Sequence, residues 1–188
     1  MKKLLLLTFI LTAFTMNAQD SKFYLGVGIG YGTAGGDFDE GYSGALAIDF
    51  FDIGYRFNES WGATLGLNSA GHAVDDIDST IGVATFAIGP MYSFPVGNMM
   101  WDFKPQYAFS MKGVARGDDA NEDFEATGTA FIIGNSLVFG DGPWQFSADL
   151  DYVMGNFDKA DDGDGFGEYD IDTDYNSLRI GVGVRYNF

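Results

Sequence analysis

The sequence predicts an all-β fold: an eight-stranded antiparallel up-and-down transmembrane β-barrel. Three observations carry that expectation. Glycine (27 residues) and aromatic residues (16%) are both abundant, yet mean hydropathy is close to zero. Membrane barrels combine these features, with small residues crowding the lumen and aromatics at the lipid interfaces. Period-two apolar alternation recurs in segments of ten residues or more, and ~9–11 tilted strand residues cross a bilayer. The connections between those segments alternate strictly between short and long, as do the tight turns and larger loops of outer-membrane barrels.

The first residues read as an address. Lys2 and Lys3 form a basic start, and Leu4 to Phe14 is an apolar run too short to span a bilayer as a helix. Ala18 is the expected last residue before cleavage, although Met16 is large for its position and leaves the exact cut open. This divides the chain into a signal peptide over 1–18 and a barrel domain over 19–188. The cut removes two lysines and takes the formal charge from −17 to −19. No later apolar run reaches helix-spanning length, so insertion is expected by strands alone.

Strands are predicted over 23–32, 43–57, 61–70, 79–94, 99–113, 126–139, 144–156 and 174–188. The last is the clearest: Leu178, Ile180, Val182, Val184, Tyr186 and Phe188 share one face, opposite Arg179, Gly181, Gly183 and Arg185. The seventh sets Trp144, Phe146, Leu150 and Tyr152 against Gln145, Ser147, Asp149 and Asp151. The fifth sets Trp101, Phe103, Tyr107 and Phe109 against Asp102, Lys104, Gln106 and Lys112. The second breaks phase: Leu46, Ile48 and Phe50 fall on one face, Phe51, Ile53 and Tyr55 on the other. A β-bulge near Asp49–Phe51 restores the alignment by adding one residue.

Connections 58–60, 95–98 and 140–143 are short, whereas 33–42, 71–78, 114–125 and 157–173 are long. Trp61, Trp101 and Trp144 follow the three short turns, while Phe57, Phe94 and Phe139 precede them. Together they form an interfacial belt at one membrane level, which a soluble barrel has no physical reason to build. Nineteen of the 27 acidic residues lie in the long connections, counting Asp174 at the boundary, against only Arg116 and Lys159. Such charge is expensive in hydrocarbon and belongs in water. Both termini are therefore expected on the periplasmic side and the long loops outside the cell. The charge excludes nucleic acid as a partner, since phosphates are repelled. The absence of cysteine excludes disulfides, thiolate metal sites and a lipid-anchored N-terminus.

The ending Ile180-x-Val182-x-Val184-x-Tyr186-x-Phe188 resembles that of substrates of the outer-membrane barrel assembly machinery, with Val184, Tyr186 and Phe188 as its assembly signal. With the signal peptide and the loop alternation, the whole mature chain resembles the eight-stranded outer-membrane barrel families of the OmpA-transmembrane and OmpX type. Their relatives are described as porin-like or outer membrane β-barrel domain proteins. The resemblance implies outer-membrane lipids and the assembly machinery as partners, and a monomer. No peptidoglycan-binding domain is expected after the barrel.

By strand phase, Arg56, Asp102, Lys104, Lys112, Asp149, Asp151, Arg179 and Arg185 point into the lumen, with Asp52 joining them. Eight strands leave room for little more than side chains, so these charges are expected to neutralise one another. Asp149 and Asp151 are placed to pair with Arg179 or Arg185. In the fourth long loop, Asp158, Asp161, Asp162, Asp164 and Glu168 alternate with glycines. That composition suits the oxygen-seeking Ca²⁺ ion, though not in an EF-hand register, because Ala160 and Ile171 fall where ligands belong. No other cofactor is expected. His72, the only histidine, is expected in a loop near the third-strand rim, and its spacing from Ser69 is wrong for a pair on one strand face. No catalytic residue is assigned. The leading reading is a non-enzymatic barrel with a structural or surface-interaction role. The alternatives are a narrow porin-like channel and, behind it, a lipid-modifying enzyme.

Overall fold

A computed structural model describes residues 23–39, 41–74, 79–116, 123–161 and 167–188. The alternating segments become eight long strands: β1 (Phe23–Gly32), β2 (Tyr42–Arg56), β3 (Trp61–Val74), β4 (Ser79–Val96), β5 (Met99–Arg116), β6 (Asp123–Phe139), β7 (Trp144–Asp161) and β8 (Tyr169–Asn187). Each pairs antiparallel with its neighbour in sequence. The ring closes between β1 and β8, in register from Tyr24 opposite Asn187 to Gly32 opposite Arg179. Gly35–Gly36 adds a two-residue pairing with Tyr175 and Asn176 of β8. The signal-peptide expectation lies outside the described residues.

Closure leaves no sheet edge, which is what a strand-built membrane span requires. The outer wall is mostly apolar, and its aromatics concentrate at the short-turn end. Trp61, Trp101 and Trp144 are 53%, 40% and 61% exposed there. Their rings contact others across the strands: Trp61 with Tyr92 (4.8 Å between centroids), Trp101 with Phe94 (5.5 Å) and Trp144 with Tyr186 (5.0 Å). The short turns use glycine where the backbone turns left-handed, as at Gly97 (φ 66°) and Gly140 (φ 120°), conformations that cost an L-residue energy.

The expected bulge in β2 is present, with pairing to β3 slipping between Asp49 and Phe51. A second one, in β5, is not legible in the sequence. Pairing with β6 jumps from Ala108 to Met111, so Phe109 and Ser110 both face outward. It reverses the phase of the upper part of the strand. Several strands also run further toward the long-loop end than expected: β7 continues to Asp161, and β8 already begins at Tyr169.

Candidate functional site: the barrel interior and its rims

The interior is built in two storeys. The storey nearer the short turns is polar and centres on Asp102, which is completely buried. Arg56 at the end of β2 donates through Nη2 to both Asp102 oxygens (3.1 Å each), and Arg185 of β8 donates through Nη1 to Oδ2 (2.6 Å). The Ser93 hydroxyl of β4 adds a bond of 2.6 Å to Oδ1. Arg185 also donates to Gln145 Oε1 (2.9 Å) and lies over the Tyr24 ring, 4.6 Å from its centroid. Three strands thus converge on one carboxylate carried by a fourth. Charge-assisted bonds of this kind are among the stronger ones, and here water is excluded.

One level up, Asp52 accepts from Lys104 Nζ (3.0 Å), Thr64 Oγ1 (2.9 Å) and the Tyr24 hydroxyl (3.2 Å). Tyr24 is 1% exposed and fills the lumen because Gly54, opposite it on β2, leaves the space; a Cβ there would fall inside the Tyr24 ring. Above lie Asp49, Asp149 and Asp151. Asp149 accepts the Ser147 hydroxyl (2.7 Å) and Asp151 the Asn135 backbone N–H (3.3 Å). Arg179 donates through Nη1 to Asn68 Oδ1, which also accepts Thr85 Oγ1.

The storey nearer the long loops is apolar, with Ile81, Met111, Ile132, Val153 and Phe157 packed together. Phe38, from the first long connection, reaches in to meet Tyr42 (4.8 Å), Tyr175 (5.7 Å) and Phe157 (6.1 Å). His72 is buried beneath it, and its Nε2 shares a hydrogen bond of 2.8 Å with the Tyr175 hydroxyl.

Arg56, Asp52, Asp102, Lys104, Asp149, Asp151, Arg179 and Arg185 therefore all face the lumen. Lys112 does not, and this corrects the strand-phase assignment. The β5 bulge turns Lys112 outward, 46% exposed, where it pairs with Glu125 of β6 (2.7 Å), and Met111 points inward in its place. The pairing expected of Arg179 or Arg185 with Asp149 and Asp151 is also replaced, since Arg185 serves Asp102 and Arg179 bonds Asn68. Strand phase alone misses Asp49, because its direction depends on which residue the β2 bulge absorbs. His72 is a strand residue aimed inward, not a loop residue. Ser69 points to the other face of β3, so the two form no catalytic pair.

Of the calcium candidates, Asp162 and Asp164 lie outside the described residues. Asp158 is exposed, Asp161 ends β7, and Glu168 pairs with Lys159 (3.4 Å). Among the described residues, no three acidic or imidazole side chains converge to hold a metal ion. Val184 and Tyr186 lie on the outer face of β8. Phe188 extends it, with its N–H bonded to the Phe23 carbonyl (3.0 Å) and its ring against Phe23 (5.2 Å) and Tyr186 (5.0 Å).

No curated protein matches the chain. Among solved structures, the fold is similar to Neisserial surface protein A, with a TM-score of 0.66 at 11% identity over 88% of this chain and 97% of that one. It is also similar to a major outer membrane protein from Thermus thermophilus, with a TM-score of 0.54 at 13% identity over 88% and 99%. Ail, the attachment invasion locus protein of Yersinia pestis, matches with a TM-score of 0.52 at 16% identity over 88% and 99%. At such identities the likeness is one of fold. The family model described as outer membrane protein beta-barrel domain matches residues 4–188. That match runs through all eight strands, so the chain belongs to the outer-membrane β-barrel domain family and is a protein of the Gram-negative outer membrane.

Proposed function

We propose that this barrel is non-enzymatic and serves as a structural and surface-interaction protein, a monomer inserted by the barrel assembly machinery and surrounded by outer-membrane lipids. Its short turns and both termini face the periplasm, and its acidic loops face outward from the cell. The carrying observation is the separation of charge along the barrel axis. At the long-loop end Asp37, Asp39, Asp158, Asp170, Asp172 and Asp174 are all exposed to solvent. At the short-turn end the arginines and Asp102 are drawn inside and bonded to one another. An acidic rim suits contact with cationic groups, because unpaired carboxylates in water attract them over about one Debye length, ~8 Å at physiological ionic strength. The filled interior and the separation of Ser69 from His72 support the non-enzymatic reading.

Epitope tags on intact cells test the orientation. A tag inserted at Gly167 is expected to be labelled from outside, and a tag at Gly97 only after the envelope is opened. Labelling of the Gly97 tag alone on intact cells would reverse the topology and remove the surface role.

A further inference from the structure

Closure of the ring holds across the membrane span but stops short of the long-loop end. β8 pairs with β1 from Asn187 to Arg179, and there β1 ends at Gly32 while β8 runs on to Tyr169. The first connection follows β8 only part of the way. Thr33 donates to the Leu178 carbonyl (2.9 Å) and accepts the Leu178 N–H at its Oγ1 (3.0 Å), and Gly35–Gly36 pairs with Asn176 and Tyr175. Asp37 then donates to the Asp174 carbonyl (2.9 Å) and accepts the Asp174 N–H at Oδ2 (2.7 Å). Beyond that point the chain leaves the edge. The Asp39 N–H turns back onto the Gly36 carbonyl (3.1 Å), Phe38 enters the barrel mouth, and β2 starts at Tyr42, opposite Val74 of β3. Among the described residues, Tyr169–Thr173 of β8 are therefore paired on the β7 side alone. An open strand edge presents unpaired backbone N–H and C=O groups and can accept a further strand.

The side chains of this edge select what can be added to it. Asp170 and Asp172 are exposed beside Asp174, while Ile171 packs inward against the apolar storey. Asn156 of β7 donates through Nδ2 to Asp172 (2.8 Å) and to Asp174 (3.4 Å), which holds both carboxylates on the outer face. Lys159 sits on β7, away from the open edge, and is paired with Glu168 (3.4 Å). Like charges opposite one another across a strand pair are destabilising and opposite charges favourable. A second copy of this edge is therefore repelled, and a basic strand is attracted.

We propose that the Tyr169–Thr173 edge of β8 is a docking strand for a cationic extended peptide in which Lys or Arg alternates with apolar residues. Its backbone pairs with β8 and supplies the affinity, and its alternate side chains supply the selectivity. The basic ones meet Asp170, Asp172 and Asp174 on the outer face. The apolar ones cover Ile171 and the neighbouring Phe38, which are both only partly buried. The proposal rests on the surface-interaction reading above and gives that reading a place and a partner chemistry.

The probe is a synthetic peptide of alternating lysine and valine, capped at both ends and added to the isotope-labelled barrel refolded in zwitterionic detergent. Binding and backbone amide exchange are followed by NMR, so the result does not depend on which side of the membrane the loops face. The peptide is expected to slow exchange severalfold at amides within Tyr169–Thr173 and to leave those of β3 unchanged. The same peptide N-methylated at every residue keeps its charge and loses its backbone donors, and it should give no protection. Asp170→Lys with Asp172→Lys should lose the lysine peptide and accept a glutamate–valine peptide in its place, whereas Asp141→Lys at the opposite rim should behave as the wild type. The comparison of the two lysine peptides on the wild-type barrel stands whether or not the charge-reversed variant folds. Binding without protection, or equal binding of the N-methylated peptide, would overturn the strand pairing and leave the acidic rim as a general cation-attracting surface. Binding of neither peptide at low ionic strength would overturn the inference and the reading of the acidic rim together.

Discussion

Asp102 holds two arginines and a serine from three different strands, so its removal leaves the guanidinium groups of buried Arg185 and partly buried Arg56 without their ion partner. Breaking a buried pair in this way costs about 3–5 kcal/mol. Asp102→Ala is expected to lose stability of that order in urea unfolding of the refolded barrel, and a loss within experimental error of zero would show that the network contributes nothing. Most of these residues are legible in the sequence because strand parity is strict: Arg56, Asp102, Lys104 and Arg185 fall on the inward side of a period-two pattern. Parity fails after a bulge. One extra outward residue in β5 sends Lys112 to the surface, and the slip in β2 decides whether Asp49 or Phe50 faces the lumen. A bulge changes phase without changing composition, so the side chains beyond it cannot be placed from the pattern alone. Who bonds whom across the lumen depends on reach and height along the axis, which no single strand encodes. That is why strand phase matches Arg185 to Asp149 or Asp151 when its partner is Asp102.

Strand ends carry the second lesson. The stretch Asp170–Thr173 reads as loop because aspartates alternate through it, yet it is part of β8. Beyond the hydrocarbon only the inward face must be apolar, and Ile171 and Tyr175 supply that face while the aspartates meet water. The bilayer-crossing part is legible, since both of its faces are constrained; the extension is not. At the opposite end of β8, Phe188 packs on Phe23 and closes the seam between first and last strands. It is half exposed and adds little buried area, so its weight should fall on insertion. Phe188→Ala is expected to lower the folded, heat-modifiable form recovered in membranes, as read by electrophoresis of unboiled samples, and wild-type recovery would contradict that. The long β7–β8 connection has its own test. If its aspartates bind Ca²⁺ with the Kd of roughly 10⁻⁴–10⁻³ M usual for external sites, millimolar calcium should raise the unfolding midpoint. The gain approaches ~2.7 kcal/mol only at a hundredfold excess over Kd. The effect should vanish in the Asp161→Asn, Asp162→Asn, Asp164→Asn variant, and an equal response in both proteins would leave the loop as solvated acid.

Taken whole, the molecule divides its labour along one axis. Aromatics mark the short-turn rim outside, paired charges fill that half inside, apolar side chains fill the other half, and acidic groups crown the long-loop end. Each part follows from an environment: the interface, the desolvated lumen, the shielded upper core and water. The closed ring follows from the requirement that no backbone hydrogen bond be left open in lipid. The strict alternation of connection lengths makes the ring legible in the sequence. The split of the interior is not, because it arises only when residues distant in the chain meet at the same height. An eight-stranded barrel filled in both halves is expected to hold no continuous aqueous path. Planar-bilayer recording of the refolded protein tests this most directly. The expected result is a membrane that stays silent over long recordings at moderate voltage, with leak appearing only when the Asp102 network is broken. Stable, discrete currents through the unmutated barrel would contradict the account and make the protein a channel.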